Sequence, residues 1–80
     1  MTFEDIEFPV YRRYKNHKSY FKIINARTFE EVRSLGNQRI ISVVNATQLP
    51  EINLIRDLVF DFQQMAEEIN EQEYKSFRGQ

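Results

Sequence analysis

Thr28-Phe29-Glu30-Glu31-Val32-Arg33-Ser34-Leu35-Gly36-Asn37 lies between two apolar runs, and the architecture turns on whether it coils or extends. Its first four residues have the form of a capping box, in which the Thr28 hydroxyl accepts from the Glu31 amide and the Glu31 carboxylate reaches back. Gly36-Asn37 supplies the left-handed residue that ends a helix. The pattern therefore predicts a short helix that turns Phe29, Val32 and Leu35 inward.

On its N-terminal side, residues 5–15 alternate. Ile6, Phe8, Val10, Arg12 and Tyr14 fall on one side and Glu7, Pro9, Tyr11, Arg13 and Lys15 on the other, the period of a half-buried strand. Asn16 and His17 tolerate the positive φ of a tight turn, and a two-residue turn is expected there. Ser19–Asn25, rich in aromatic and β-branched residues, is the return strand. Pro9 lacks a ladder donor, so the first strand either lies at an edge or begins near it. The strand order stays open.

On its C-terminal side, Arg39–Ala46 carries Ile40 and Val44 on one face and Ile41 and Val43 on the other, as expected of a strand covered on both faces. Pro50 and Glu51 suit the first turn of a helix. Ile52, Ile55, Leu58, Val59, Phe62, Met65, Ala66 and Ile69 recur at spacings of three and four, which predicts one long helix over about five turns. Beyond Asn70 the pattern thins, and fraying is expected over 71–80. The implied fold is α+β: a two-layer ββαβα domain over residues 1–80, with a short and a long C-terminal helix packed on one face of a three-stranded sheet.

Eighty residues allow one domain, and 41% hydrophobic residues are enough to fold it. With two Gly, two Pro, no Cys and one His, the chain is neither collagenous nor disulfide-stapled, and it holds no Cys-ligated zinc or Cys nucleophile. The acidic start Glu4-Asp5-Ile6-Glu7 is unlike a secretory leader, and no apolar run approaches the roughly 18 residues of a membrane span. A cytoplasmic protein with no membrane association is expected.

The net charge of −1 conceals an asymmetry. Residues 1–40 hold eight Lys or Arg against five Asp or Glu, and residues 41–80 hold three against seven. Opposite surface fields steer association, so the acidic helix of one copy is expected to complement the basic hairpin of another.

If Asn16-His17 is the turn, Tyr11 opposes Lys22, Arg13 opposes Tyr20 and Val10 opposes Ile23, which puts Val10, Phe21 and Ile23 on the core side. The other side then presents Tyr11, Arg13, Lys15, Lys18, Tyr20 and Lys22. Cations interleaved with flat rings on an open sheet face suit phosphates and unpaired bases, and single-stranded nucleic acid is one candidate partner. The same residues also make sense as cross-strand cation–π pairs, Tyr11 with Lys22 and Tyr20 with Arg13, with no ligand.

On the long helix, projection at 100° per residue sets Phe60 opposite the apolar stripe, among Asn53, Arg56, Asp57, Gln64 and Glu67. An exposed ring beside the acids Asp57 and Asp61 and the amide of Gln64 is expected to contact another chain. Asp57, Asp61 and Glu68 line up along a surface and do not converge as a hard cation requires, so no metal site is expected. His17 stands between Lys15 and Lys18 in a turn, with no nucleophile or orienting acid identifiable near it. Gly-rich phosphate loops, paired metal-ligand spacings and glycine-flanked serines are absent. No catalytic residue, cofactor or small-molecule substrate is therefore expected. The reading is a small non-enzymatic domain that self-associates or docks to a protein through the outer face of its long helix.

Overall fold

The computed structural model describes residues 2–79. After a single 3-10 turn, η1 (Phe3–Asp5), the elements in chain order are β1 (Val10–Tyr14), β2 (Ser19–Asn25), β3 (Thr28–Leu35), β4 (Gln38–Asn45), α1 (Leu49–Phe60), β5 (Ala66–Glu68) and α2 (Glu71–Arg78). The chain is α+β, but its antiparallel sheet has five strands in the order β4-β3-β2-β1-β5 and not three. No helix among the described residues is long and apolar enough to cross a membrane.

The expected helix at 28–35 is a strand. Glu31 does not fold back on Thr28; its carboxylate accepts from the Ser19 hydroxyl at 2.9 Å across the sheet, and the Thr28 hydroxyl donates to Asn45. Gly36 has φ 61°, but it serves as the first central residue of a two-residue hairpin loop between Leu35 and Gln38. A left-handed glycine ends a helix and turns a hairpin equally well, and here the strand on each side decides.

The long helix is also divided. Its first part forms α1, with Pro50 in the first turn, and Asp61 leaves helical geometry at φ −143°, ψ 56°. A helix carried on to residue 69 would hold Glu67 and Glu68 in its last turn, at its negative C-terminal end, which the helix dipole disfavours. Residues 66–68 instead pair with β1, Tyr14 opposite Ala66, Arg13 opposite Glu67 and Arg12 opposite Glu68. Where fraying was expected, 71–78 coil into α2, closed at its start by a capping box between Asn70 and Glu73 and at its end by Gly79 at φ 94°. The expected fraying of Gln80 lies outside the described residues.

The two helices cover opposite faces of the sheet, so the domain has three layers and not two. On one face Ile55, Leu58 and Val59 of α1 pack on Phe21, Ile23 and Phe29, joined by Val10, Tyr14 and Val44 and by Phe3, Ile6 and Phe8 of the N-terminal segment. On the other, Tyr74 of α2 packs on Tyr20 and Val32, with Tyr11, Ile69 and Phe77 at the margin. Successive side chains along β2 alternate between these two cores. β1 begins just after Pro9, as that residue requires, but lies inside the sheet.

Candidate functional site

The hairpin has the register expected of it: Val10 opposes Ile23, Tyr11 opposes Lys22 and Arg13 opposes Tyr20. Pairing stops short of Lys15 and Lys18, which belong to a four-residue loop where His17 adopts φ 62° and the Lys18 amide donates to the Asn16 side chain at 2.8 Å. Tyr11, Arg13, Tyr20 and Lys22 do share a face. That face is not open. Phe77 of α2 stacks flat on Tyr20 with ring centroids 3.7 Å apart, and Tyr74 packs against Tyr11 at 5.3 Å. Tyr20 is buried beneath that ring.

Arg13, one of the cations of this face, is engaged within the chain. The Arg13 guanidinium donates to Glu67 of β5 from Nε (3.1 Å) and Nη2, stands 3.8 Å from Glu73 and lies 5.7 Å from the Tyr20 ring, one of the two expected cation–π pairs. Tyr11 meets Tyr74 in place of Lys22. Arg13's hydrogen bond holds the Glu67 carboxyl below the usual carboxylate range. Behind Lys22, Glu30 accepts from the Tyr74 hydroxyl at 2.6 Å and from Arg78 Nε at 2.8 Å. Burial pushes the Glu30 carboxyl up, but these two donors outweigh it and its pKa is lowered. Lys15 and Lys18 remain exposed. Two bases of the N-terminal half thus meet acids of the C-terminal half inside one molecule, Arg13 with Glu67 and Arg12 with Glu68, while Glu30 with Arg78 joins the halves in the opposite sense.

Arg12 points into the α1 face, where sequence alternation had put it among apolar residues. Its Nε donates to the Leu58 carbonyl at 2.8 Å, Nη1 donates to the Tyr11 carbonyl at 2.9 Å, and the guanidinium sits 4.1 Å from the Phe62 ring centroid. It closes the last turn of a helix that has no glycine or basic residue of its own there.

Phe60 is not the exposed anchor expected of it. Its ring lies 5.0 Å from that of Phe3 and joins the α1 core, because the N-terminal segment folds over the helix end. Asp57, Asp61 and Gln64 are exposed but flank no apolar surface of their own, and Gln64 has left the helix for the turn before β5.

The exposed apolar surface is elsewhere. Of the five large apolar side chains exposed among the described residues, Ile41 (41%) and Val43 (60%) are on β4, Leu35 (57%) is at the hairpin end beside it, and Leu49 (70%) is at the turn that leaves it. β4 is an edge strand of eight residues paired only to β3, in unbroken register from Thr28–Asn45 to Leu35–Gln38. Ile41 and Val43 lie on the α2 side, where the end of α2 meets β4 at Arg39, whose Nε donates to the Phe77 carbonyl, yet both stay exposed. Read as a strand covered on both faces, Ile40-Ile41-Ser42-Val43-Val44 is apolar on both sides, yet within one molecule only Val44 joins a core while Ile41 and Val43 stay exposed.

Among the described residues there is no enclosed pocket and no group of three or more His, Asp or Glu side chains placed to hold a metal ion. Among the described residues, every buried side-chain nitrogen and oxygen has a hydrogen-bond partner. No family model, curated protein or solved structure matches this chain.

Proposed function

We propose that the chain is a non-enzymatic protein-interaction domain whose docking surface is the free edge of β4, in place of the outer face of α1. The observation that carries this reading is the eight-residue unpaired edge with Ile41 and Val43 exposed on it. Natural edges are blunted by shortness, charge, proline or a bulge. β4 has none of these within its central five residues, whereas the opposite edge, β5, is three residues long and carries Glu67 and Glu68. An added strand would gain main-chain hydrogen bonds from the edge and specificity from the side chains alternating above and below it. What weighs against single-stranded nucleic acid is the loss of the stacking surface, with Tyr20 under Phe77 and Tyr11 against Tyr74.

A photo-crosslinking amino acid placed singly at Val43 and at Asp57 tests the choice of surface in cells expressing the full chain. The edge reading expects a defined protein adduct, this chain included, from position 43 and none from 57. Adducts from 57 alone, or none from 43, would overturn it.

A further inference from the structure

We infer that the strand received by β4 is β4 of a second copy, paired antiparallel about a two-fold axis through Ser42; this rests on the edge reading and names its partner. The first step is to establish which backbone groups are free. The Ala46 amide donates to the Arg27 carbonyl at 2.7 Å, and the register of β3 with β4 continues from that pair. Hydrogen-bonded and non-hydrogen-bonded pairs alternate along an antiparallel ladder. Gln38, Ile40, Ser42 and Val44 therefore bond β3, and the amides and carbonyls of Arg39, Ile41, Val43 and Asn45 point away from it. The other side of β3 agrees: the Ser34 amide donates to the Lys18 carbonyl at 2.8 Å, so the even-numbered residues of β3 serve β2 and the odd-numbered ones serve β4.

A two-fold pairing must set outward groups opposite outward groups, which restricts the axis to a whole residue. With the axis at Ser42, Ile41 opposes Val43 of the second copy, Ile40 opposes Val44, and Arg39 opposes Asn45. Every apolar residue then meets an apolar one, and no like charges meet. Moving the axis to Ile41 sets Ile40 against Ser42, Val44 against Gln38 and Val43 against Arg39; moving it to Val43 sets Ile41 against Asn45. The strand Ile40-Ile41-Ser42-Val43-Val44 is thus symmetric in character about its centre, and only one axis uses that symmetry.

Four outward-facing residues in each copy would exchange about eight main-chain hydrogen bonds. Ser42, small and exposed, occupies the closest approach, a non-hydrogen-bonded pair with Cα atoms about 4.5 Å apart. The antiparallel arrangement also brings the hairpin end that carries Leu35 alongside the strand end that leads to Leu49 in the other copy. Four of the five exposed large apolar side chains are then gathered at one seam.

Because the chain has no cysteine, introduced thiols report the seam directly. A Cα separation near 4.5 Å lies within the range a disulfide spans, while residues offset by four positions are about 13 Å apart. Under mild oxidation Ser42→Cys is expected to form a covalent dimer, Ile40→Cys and Val44→Cys singly are expected to stay monomeric, and the Ile40→Cys/Val44→Cys double variant is expected to dimerise. Light scattering on a sizing column should give a dimer for the wild-type chain and a monomer for Val43→Lys, with circular dichroism verifying that this exposed substitution leaves the fold intact. A wild-type monomer, or a Ser42→Cys variant that crosslinks no better than Ile40→Cys, would overturn the proposal. A monomer that still gives an adduct with a different protein at position 43 would overturn the second copy alone and leave the edge reading standing.

Discussion

Glu30 shows how one side chain fastens the last helix to the sheet. It projects from β3 on the α2 side, where it accepts from both Tyr74 and Arg78, and the side chain is mostly shielded from solvent. Its pKa is lowered in the folded chain, burial opposing and the two donors prevailing. A carboxyl with a folded pKa below its unfolded value of about 4.3 contributes stability that is complete above that value and is lost as pH falls through the folded one. Thermal melts are expected to fall in temperature as pH drops below the ordinary glutamate range, and Glu30→Gln should start lower at neutral pH and lose part of that dependence. Unchanged acid profiles in the two proteins would contradict this assignment. Neither donor was legible from sequence, since Tyr74 and Arg78 stood in a segment whose apolar periodicity had run out; the pairing spans 44 residues and depends on the tertiary fold.

At the scale of elements, the two hairpin strands were legible because alternation and turn residues agree there. The register of β1 with β2 followed from one turn position. β3 was not legible: Thr-x-x-Glu followed by a glycine satisfies the local rules for a short helix, while Gly36-Asn37 equally satisfies those for a hairpin turn. The strand won because β2 and β4 flank it on both sides. The same motif type at Asn70-Glu71-Gln72-Glu73 does cap a helix, so the capping pattern marks a helix only where no neighbouring strand competes. The end of α1 is tied to a neighbouring strand. Arg12 reaches across from β1 to its Leu58 carbonyl, and burial lowers the guanidinium pKa while Glu68 opposes that shift. Arg12→Met would keep much of the apolar stem but leave the buried carbonyl without its charged donor, and is expected to cost about 2–3 kcal/mol in urea denaturation. A change below about 0.5 kcal/mol would show that the helix end does not depend on this contact.

At the scale of the whole molecule, the charge asymmetry between the two halves of the chain was legible, but its use was not. Part of it is used internally, in the ion pairs of Arg12 and Arg13 on β1 with Glu68 and Glu67 on β5, while Lys15 and Lys18 stay exposed at the hairpin loop. The proposed association would use the apolar edge, which carries a single charge, Arg39, itself donating to the Phe77 carbonyl. A dimer formed there binds the native state and not the unfolded chain, so its melting temperature is expected to rise with protein concentration, while that of Val43→Lys stays flat. Concentration-independent melting of the wild-type chain would place the exposed residues of β4 outside any self-association.

The inequality of the two sheet margins also limits how large an assembly can grow. Joining two copies along β4 consumes the one long margin of each, and what remains at either end of the combined ten strands is Ala66-Glu67-Glu68, too short and too negatively charged to recruit another molecule. A self-complementary contact of this kind closes on itself. The acids that tie Arg12 and Arg13 to β5 would thereby act as terminators, arresting propagation into filaments at a pair.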